Sequence, residues 1–177
     1  MEKLVTSGMI GGVLDITTTE VADEIGGGVF SAGPTRLDAL IQAEIPLLLS
    51  LGAVDMVNFG AKDTVPPHLQ GRKLHIHNAQ VTLMRTTPEE NRRIAAWIAN
   101  KINRSTAPVK IVIPEGGVSM LDAKGQVFHD PEADAALFDE LESRLQLSDT
   151  RQLIRSPHHI NDPEFAARLV TEFQQLL

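Results

Sequence analysis

The stretch 109-VKIVIPEGGVS-119 decides how the rest of this 177-residue sequence is read. Its first five residues are mostly β-branched, a run too short for a core helix and suited to a strand buried on both faces. A proline and two glycines then stop it. Three more runs have the same character: 13-VLDI-16, 46-PLLLSL-51 and 151-RQLIR-155. A fifth, 73-KLHIH-77, alternates polar and apolar residues, as a strand with one wetter face does.

Helical patterns separate these runs. Thr17-Thr18-Thr19-Glu20 and Thr87-Pro88-Glu89-Glu90 each read as a capping box, in which a threonine hydroxyl and a glutamate satisfy each other's backbone donors. After the second box, Ile94, Trp97, Ile98 and Ile102 form one apolar stripe. Asp130-Pro131-Glu132 and Asp162-Pro163-Glu164 open two further helices. The alternation predicts an α/β layered fold, Rossmann-like, with a mainly parallel sheet flanked by helices and a single domain over 1–177.

Composition narrows the function. Hydrophobic residues at 42% and charged ones at 22% are those of a soluble globular protein. Without cysteine there is no thiolate or disulfide chemistry, and the cytoplasm is the expected compartment. The net charge of -7 argues against nucleic acid as a partner. No apolar run approaches the roughly 20 residues that span a bilayer, so no membrane partner is expected. Near the start, LVTSGMIGGVLDITT reads as the end of a helix running into a strand. The chain is therefore expected to be a piece of a longer protein.

Ligands of open α/β sheets bind beyond the carboxyl ends of the strands, so chemistry is sought there. The segment 28-GVFSAGPT-35 keeps the glycine spacing of a P-loop, but Pro34 stands where the phosphate-binding lysine belongs, which excludes that motif. Three consecutive glycines, Gly26 to Gly28, exceed the needs of a helix end and point to flexibility or a close approach. Donors suited to an anion are the Thr17, Thr18 and Thr19 group, Ser31 with Gly33, Arg85 with the Thr86-Thr87 helix start, and Gly116-Gly117 with Ser119 as a backbone nest. Acid–base candidates are Asp15, Glu115, His77 and His129, while Asp55 and Asp122 also stand near strand ends. His75 and His77 share a strand face, but His129 and His159 are remote in sequence, so no metal site is assigned.

The segments GVLDITTTEVADEIGGGVFSAGPTRLDA, VDMVNFG, HNAQVTLMRTTPEEN, PEGGVSMLDAKGQVFHDPEADAALFDEL and HINDPEFA together resemble the ATP-binding family named after the tomato mosaic virus resistance protein. The similarity spans nearly the whole chain and matches the second, C-terminal part of the family, which implies that this domain is the C-terminal half of a longer two-domain protein. It implies ATP, with magnesium, as ligand, a homo-oligomer, and an N-terminal domain of the same protein as partner. Three functions stay open: a binding module closing over a nucleotide or another small anion, an enzyme using ATP on a phosphorylated or acyl substrate, and a dimerisation and partner-interaction domain.

Overall fold

A computed structural model describes residues 1–177. The four expected runs form one parallel sheet: β1 (Val13–Thr17), β2 (Leu47–Gly52), β6 (Val109–Pro114) and β7 (Arg151–Ser156), in the order β1-β2-β6-β7, and β7, expected to be buried, is an edge strand with only Ser156 buried. Spatial order equals chain order, so every crossover steps in the same direction. With crossovers of one hand, this puts the intervening helices on one face. That face carries Leu47, Leu49, Leu51, Val109, Ile111 and Ile113 against α2 (Thr19–Gly26), α3 (Asp38–Gln42), α4 (Pro88–Ile102) and α5 (Pro131–Arg144). The short α1 (Glu2–Thr6) adds Val5 to this core.

The opposite face is covered by α6 (Pro163–Gln174) alone, with Phe165 and Leu169 packed on Leu48 and Val112. Lys110, the one charge in the decisive strand, points to this side. Its Nζ meets Glu172 Oε2 at 2.5 Å and Gln175 Oε1 at 2.7 Å, so α6 neutralises the charge that it buries.

The fifth expected strand belongs to a different sheet. β4 (Leu74–Asn78) and β5 (Val81–Arg85) form a hairpin, and β5 pairs antiparallel with β3 (Met56–Phe59), giving a three-stranded sheet in the order β3-β5-β4. It is inserted between β2 and α4 with its own core of Val57, Phe59, Val65 and Met84. β3 and β5 are short strands whose apolar residues read equally well as loop.

The two expected capping boxes differ in outcome. At α4 the Thr87 side chain accepts from Glu90 N while Glu90 returns to Thr87 N at 2.8 Å. Thr87→Ala should therefore cost about 1 kcal/mol of unfolding free energy in urea titration. At α2 no box forms. Thr18 is fully buried, its hydroxyl donates to Ser50 O at 3.3 Å, and Glu20 is drawn off to Arg36 at 2.6 Å.

The glycine run serves close approach. Gly27 caps α2 at φ 76°. A Cβ on Gly26 would stand 2.4 Å from Val57 Cγ2, and one on Gly28 2.3 Å from Asp23 Cγ.

Candidate functional site

The carboxyl ends of β6 and β7 and the first turns of α5 enclose a cleft of about 410 Å³. Glu115, Gly116 and Gly117 form one wall, Arg155 another, and His129, Asp134 and Asp139 face them. The glycines are required where this loop crosses residues 158–160. A Cβ on Gly116 would sit 2.4 Å from the backbone N of His159, and Gly117 has φ 129°. Gly116 N donates to His158 O, and Ile160 N donates to Gly117 O, which closes the two strand-end loops on each other.

Beneath the cleft lies Arg85, 3% exposed and without a free donor. Its Nε donates to Phe128 O at 2.7 Å, one terminal nitrogen to Thr86 Oγ1 at 3.0 Å and Asp55 O at 3.4 Å, and the other to Asp134 Oδ1 at 2.7 Å and Asp122 Oδ1 at 3.2 Å. Asp55 completes the group, accepting from Ser119 Oγ at 2.7 Å while its Oδ1 is buried without a partner. Two carboxyl groups thus contact one guanidinium and a third, Asp55, lies within its field, so full ionisation would leave an excess of buried negative charge. Burial raises Asp134 to about 7, Arg85 pulling it down and Asp122 pushing it up. Burial likewise raises Asp55 to about 6, against the hydrogen bond from Ser119.

His129 is held from one side only. Its Nδ1 lies 3.0 Å from Asp122 O, and a carbonyl can only accept, so Nδ1 carries the proton and Nε2 has no protein partner. His159 is engaged on both sides: Nδ1 accepts from Asn161 N, so Nε2–H donates to Ser119 O at 2.9 Å. That histidine braces the two strand-end loops.

The residues selected from the sequence divide among several places. Glu115, Gly116, Gly117 and His129 share the cleft, and Ser119 lies behind it on Asp55. Asp15 and Thr17 line a second cleft, of about 490 Å³, at the end of β1 with Glu20, Ala32 and Arg36. Ser31 and Gly33 flank Ala32, and Thr19 Oγ1 accepts from Asn58 Nδ2. β1 and β7 are three strand spacings apart in the sheet, about 14 Å, so the two clefts are separate. Thr87 caps α4, Thr86 hydrogen-bonds Val54 O, and Thr18 is interior. His77 is exposed on the hairpin, away from the parallel sheet.

Two assigned roles change with this geometry. Arg85 is not a free donor at the helix start, because carboxylates, carbonyls and the Thr86 hydroxyl hold its N–H groups. The Gly116-Gly117 nest has no N–H to offer: Gly116 N donates to His158 O, Gly117 N to Pro114 O and Val118 N to Asp122 Oδ2. Arg155, the cation that lines the cleft, is paired with Asp139 at 2.9 Å, Glu115 at 3.3 Å and Glu142 at 3.4 Å.

Asp134 was not legible as a site residue, since an acid in the first turn of a helix reads as favourable to the helix dipole. The available signal was its spacing, four residues before the buried Phe138, which puts it beside the apolar stripe of α5. No group of three or more histidine or carboxylate side chains converges as metal ligands. No helix is long and apolar enough to cross a membrane.

Fold and site together define one α/β lobe with two acidic clefts along the carboxyl edge of its sheet. The chain belongs to the UPF0261 family: the family model described as "Uncharacterised protein family (UPF0261) C-terminal domain" matches residues 1–177. It is 53% identical over 176 residues to the tomato (Solanum lycopersicum) "ToMV resistance protein Tm-1(GCR237)", covering 99% of this chain and 23% of that protein. Against a UPF0261 protein of Rhizobium meliloti it is 51% identical, covering 99% of this chain and 44% of the relative. For a UPF0261 protein of Clostridium tetani the figures are 46%, 100% and 44%. The chain spans less than half the length of these relatives.

Proposed function

We propose that this domain holds one end of a small-molecule ligand in the cleft between β6, β7 and α5, and that the rest of the full-length protein supplies the opposing wall. The observation that carries the reading is the cleft's own chemistry. It lies at the carboxyl edge of the sheet, with a carboxyl titrating near neutrality and an imidazole nitrogen without a protein partner.

The lining selects the ligand. Glu115, Asp134 and Asp139 favour a neutral or positive group rich in donors, such as sugar hydroxyls or an amine. Phosphates do not fit these residues, because the loop N–H groups and Arg155 are already engaged. ATP, the ligand suggested by the family resemblance, would place its ribose or base here. Its magnesium-bound phosphates would meet groups outside these 177 residues.

Thermal unfolding of the full-length protein with ATP–magnesium and with adenosine tests this. Ligand at 100 times its Kd adds about 2.7 kcal/mol, which is readily seen as a Tm rise. Both ligands should stabilise the protein, and Asp139→Asn or His129→Ala should weaken binding by about tenfold, a loss of ~1.4 kcal/mol. Unchanged affinity in both variants would remove this cleft from the binding site.

The same two groups favour a second reading, acid–base catalysis on the bound molecule, with His129 Nε2 as the base and Asp134 as a proton donor. Mass spectrometry of ATP and a metabolite pool incubated with the full-length protein would then show a product that His129→Gln abolishes.

A further inference from the structure

We infer that the loop at residues 27–35 is a docking knob for the part of the full-length protein that precedes this domain, seating Val29 and Phe30 in an apolar socket of that part. The inference rests on the two-part reading above. Val29 and Phe30 are consecutive and 60% and 56% exposed, yet the loop that displays them is tied down. The buried Asp23 carboxylate accepts from Phe30 N at 2.7 Å, Asn58 N at 2.7 Å and Asn58 Nδ2 at 3.0 Å. Val29 N donates to Asn58 O, and Gly28 N to Asp23 O, each at 2.8 Å. Further along, Ser31 Oγ accepts from Gly33 N at 2.9 Å and bonds Glu24, while Lys101 Nζ reaches Pro34 O at 2.6 Å.

Burying a carboxylate to fix a loop, and then leaving its two largest apolar side chains in water, benefits the isolated domain little. It does suit binding, since the ordering cost is met before the partner arrives. Aromatic side chains presented from a fixed backbone are typical of interfaces.

Three observations select the occupant. The family model describes this region as a C-terminal domain, and the bacterial relatives are more than twice its length. Met1 lines the same cleft as Ala32, so chain leading into this domain arrives beside the knob. The cleft sets Glu2, Asp15 and Glu20 around the single Arg36, which gives the knob an acidic flank. A two-fold contact between copies centred on this loop would bring that acidic flank against itself, whereas a socket edged by Lys or Arg complements it.

The test is p-benzoylphenylalanine placed at position 30 of the full-length protein, and separately at position 29, followed by irradiation and peptide mapping. The expected crosslinks fall in residues that precede Met1. Crosslinks into residues 1–177 of a second copy, or none from either position, would overturn the inference. Ligand-induced stabilisation measured on the same samples is independent of the crosslink, so loss of one reading leaves the other standing.

Discussion

Arg85→Met is expected to lower the unfolding free energy by about 3–5 kcal/mol, the usual effect of removing one partner from a buried charge cluster. The mutant chain would still carry Asp55 and Asp122, fully inside, and Asp134, largely so, with no cation to oppose them. Phe128 O would also lose its donor, and with it the link between β5 and the loop leading to α5. Lysine should rescue little, because one ammonium cannot reproduce the fork that serves Phe128, Thr86, Asp122 and Asp134 together. Neutralising the acids should rescue more. Arg85→Met combined with Asp122→Asn and Asp134→Asn removes the uncompensated charge and should recover a substantial part of the loss. Urea titrations of the variants decide the matter. If Arg85→Met left stability unchanged, the arginine would be a ligand group and not the clasp of the site.

The same residue shows where sequence reading succeeds and where it stops. Buried parallel strands announce themselves because both faces are apolar, so 46-PLLLSL-51 and 109-VKIVI-113 fall within one residue of β2 and β6. β3 and β5 give no such signal. They are four and five residues long and fill a small satellite core, and their alternation is broken at Met56 in β3 and at Met84 and Arg85 in β5. Missing that sheet made Arg85 look like a loop residue at a helix start, when it is the last residue of a strand pointing inward. The clefts were partly legible: Glu115, Gly116, Gly117 and His129 converge, since the rule for strand ends is topological. Pairing was not legible. Whether a glycine N–H is free depends on a residue far along the chain, as with Gly116 and His158. Arg36 likewise finds Asp15, Glu20 and Glu2 only after the chain has folded back.

A second large effect is expected from pH. Asp134 has its carboxyl raised from 3.8 to about 7 in the folded protein, so the folded state holds this proton more tightly than the unfolded chain. Its stabilising contribution is therefore complete below the unfolded value and is lost as pH rises through about 7. One proton corresponds to ~1.4 kcal/mol per pH unit, so a shift of this size corresponds to a fall on the order of 4 kcal/mol across the window. Asp55 acts in the same direction, from 3.8 up to about 6. Glu90 and Glu172, lowered from 4.5 by Arg72 and Lys110 against the cost of burial, act in the opposite sense and only at more acidic pH. Urea unfolding of the wild type and of Asp134→Asn at about pH 4.5, 6 and 8 separates these contributions. The variant should show a markedly flatter dependence and should gain on the wild type as pH rises. Parallel curves would mean that Asp134 ionises normally and that the floor of the cleft is an ordinary ion pair. A flattened curve would place a carboxylic acid, protonated in part of the molecules at neutral pH, at the wall of the cleft. Such a group can donate to a ligand oxygen as well as accept from a ligand hydroxyl, which a fixed carboxylate cannot do.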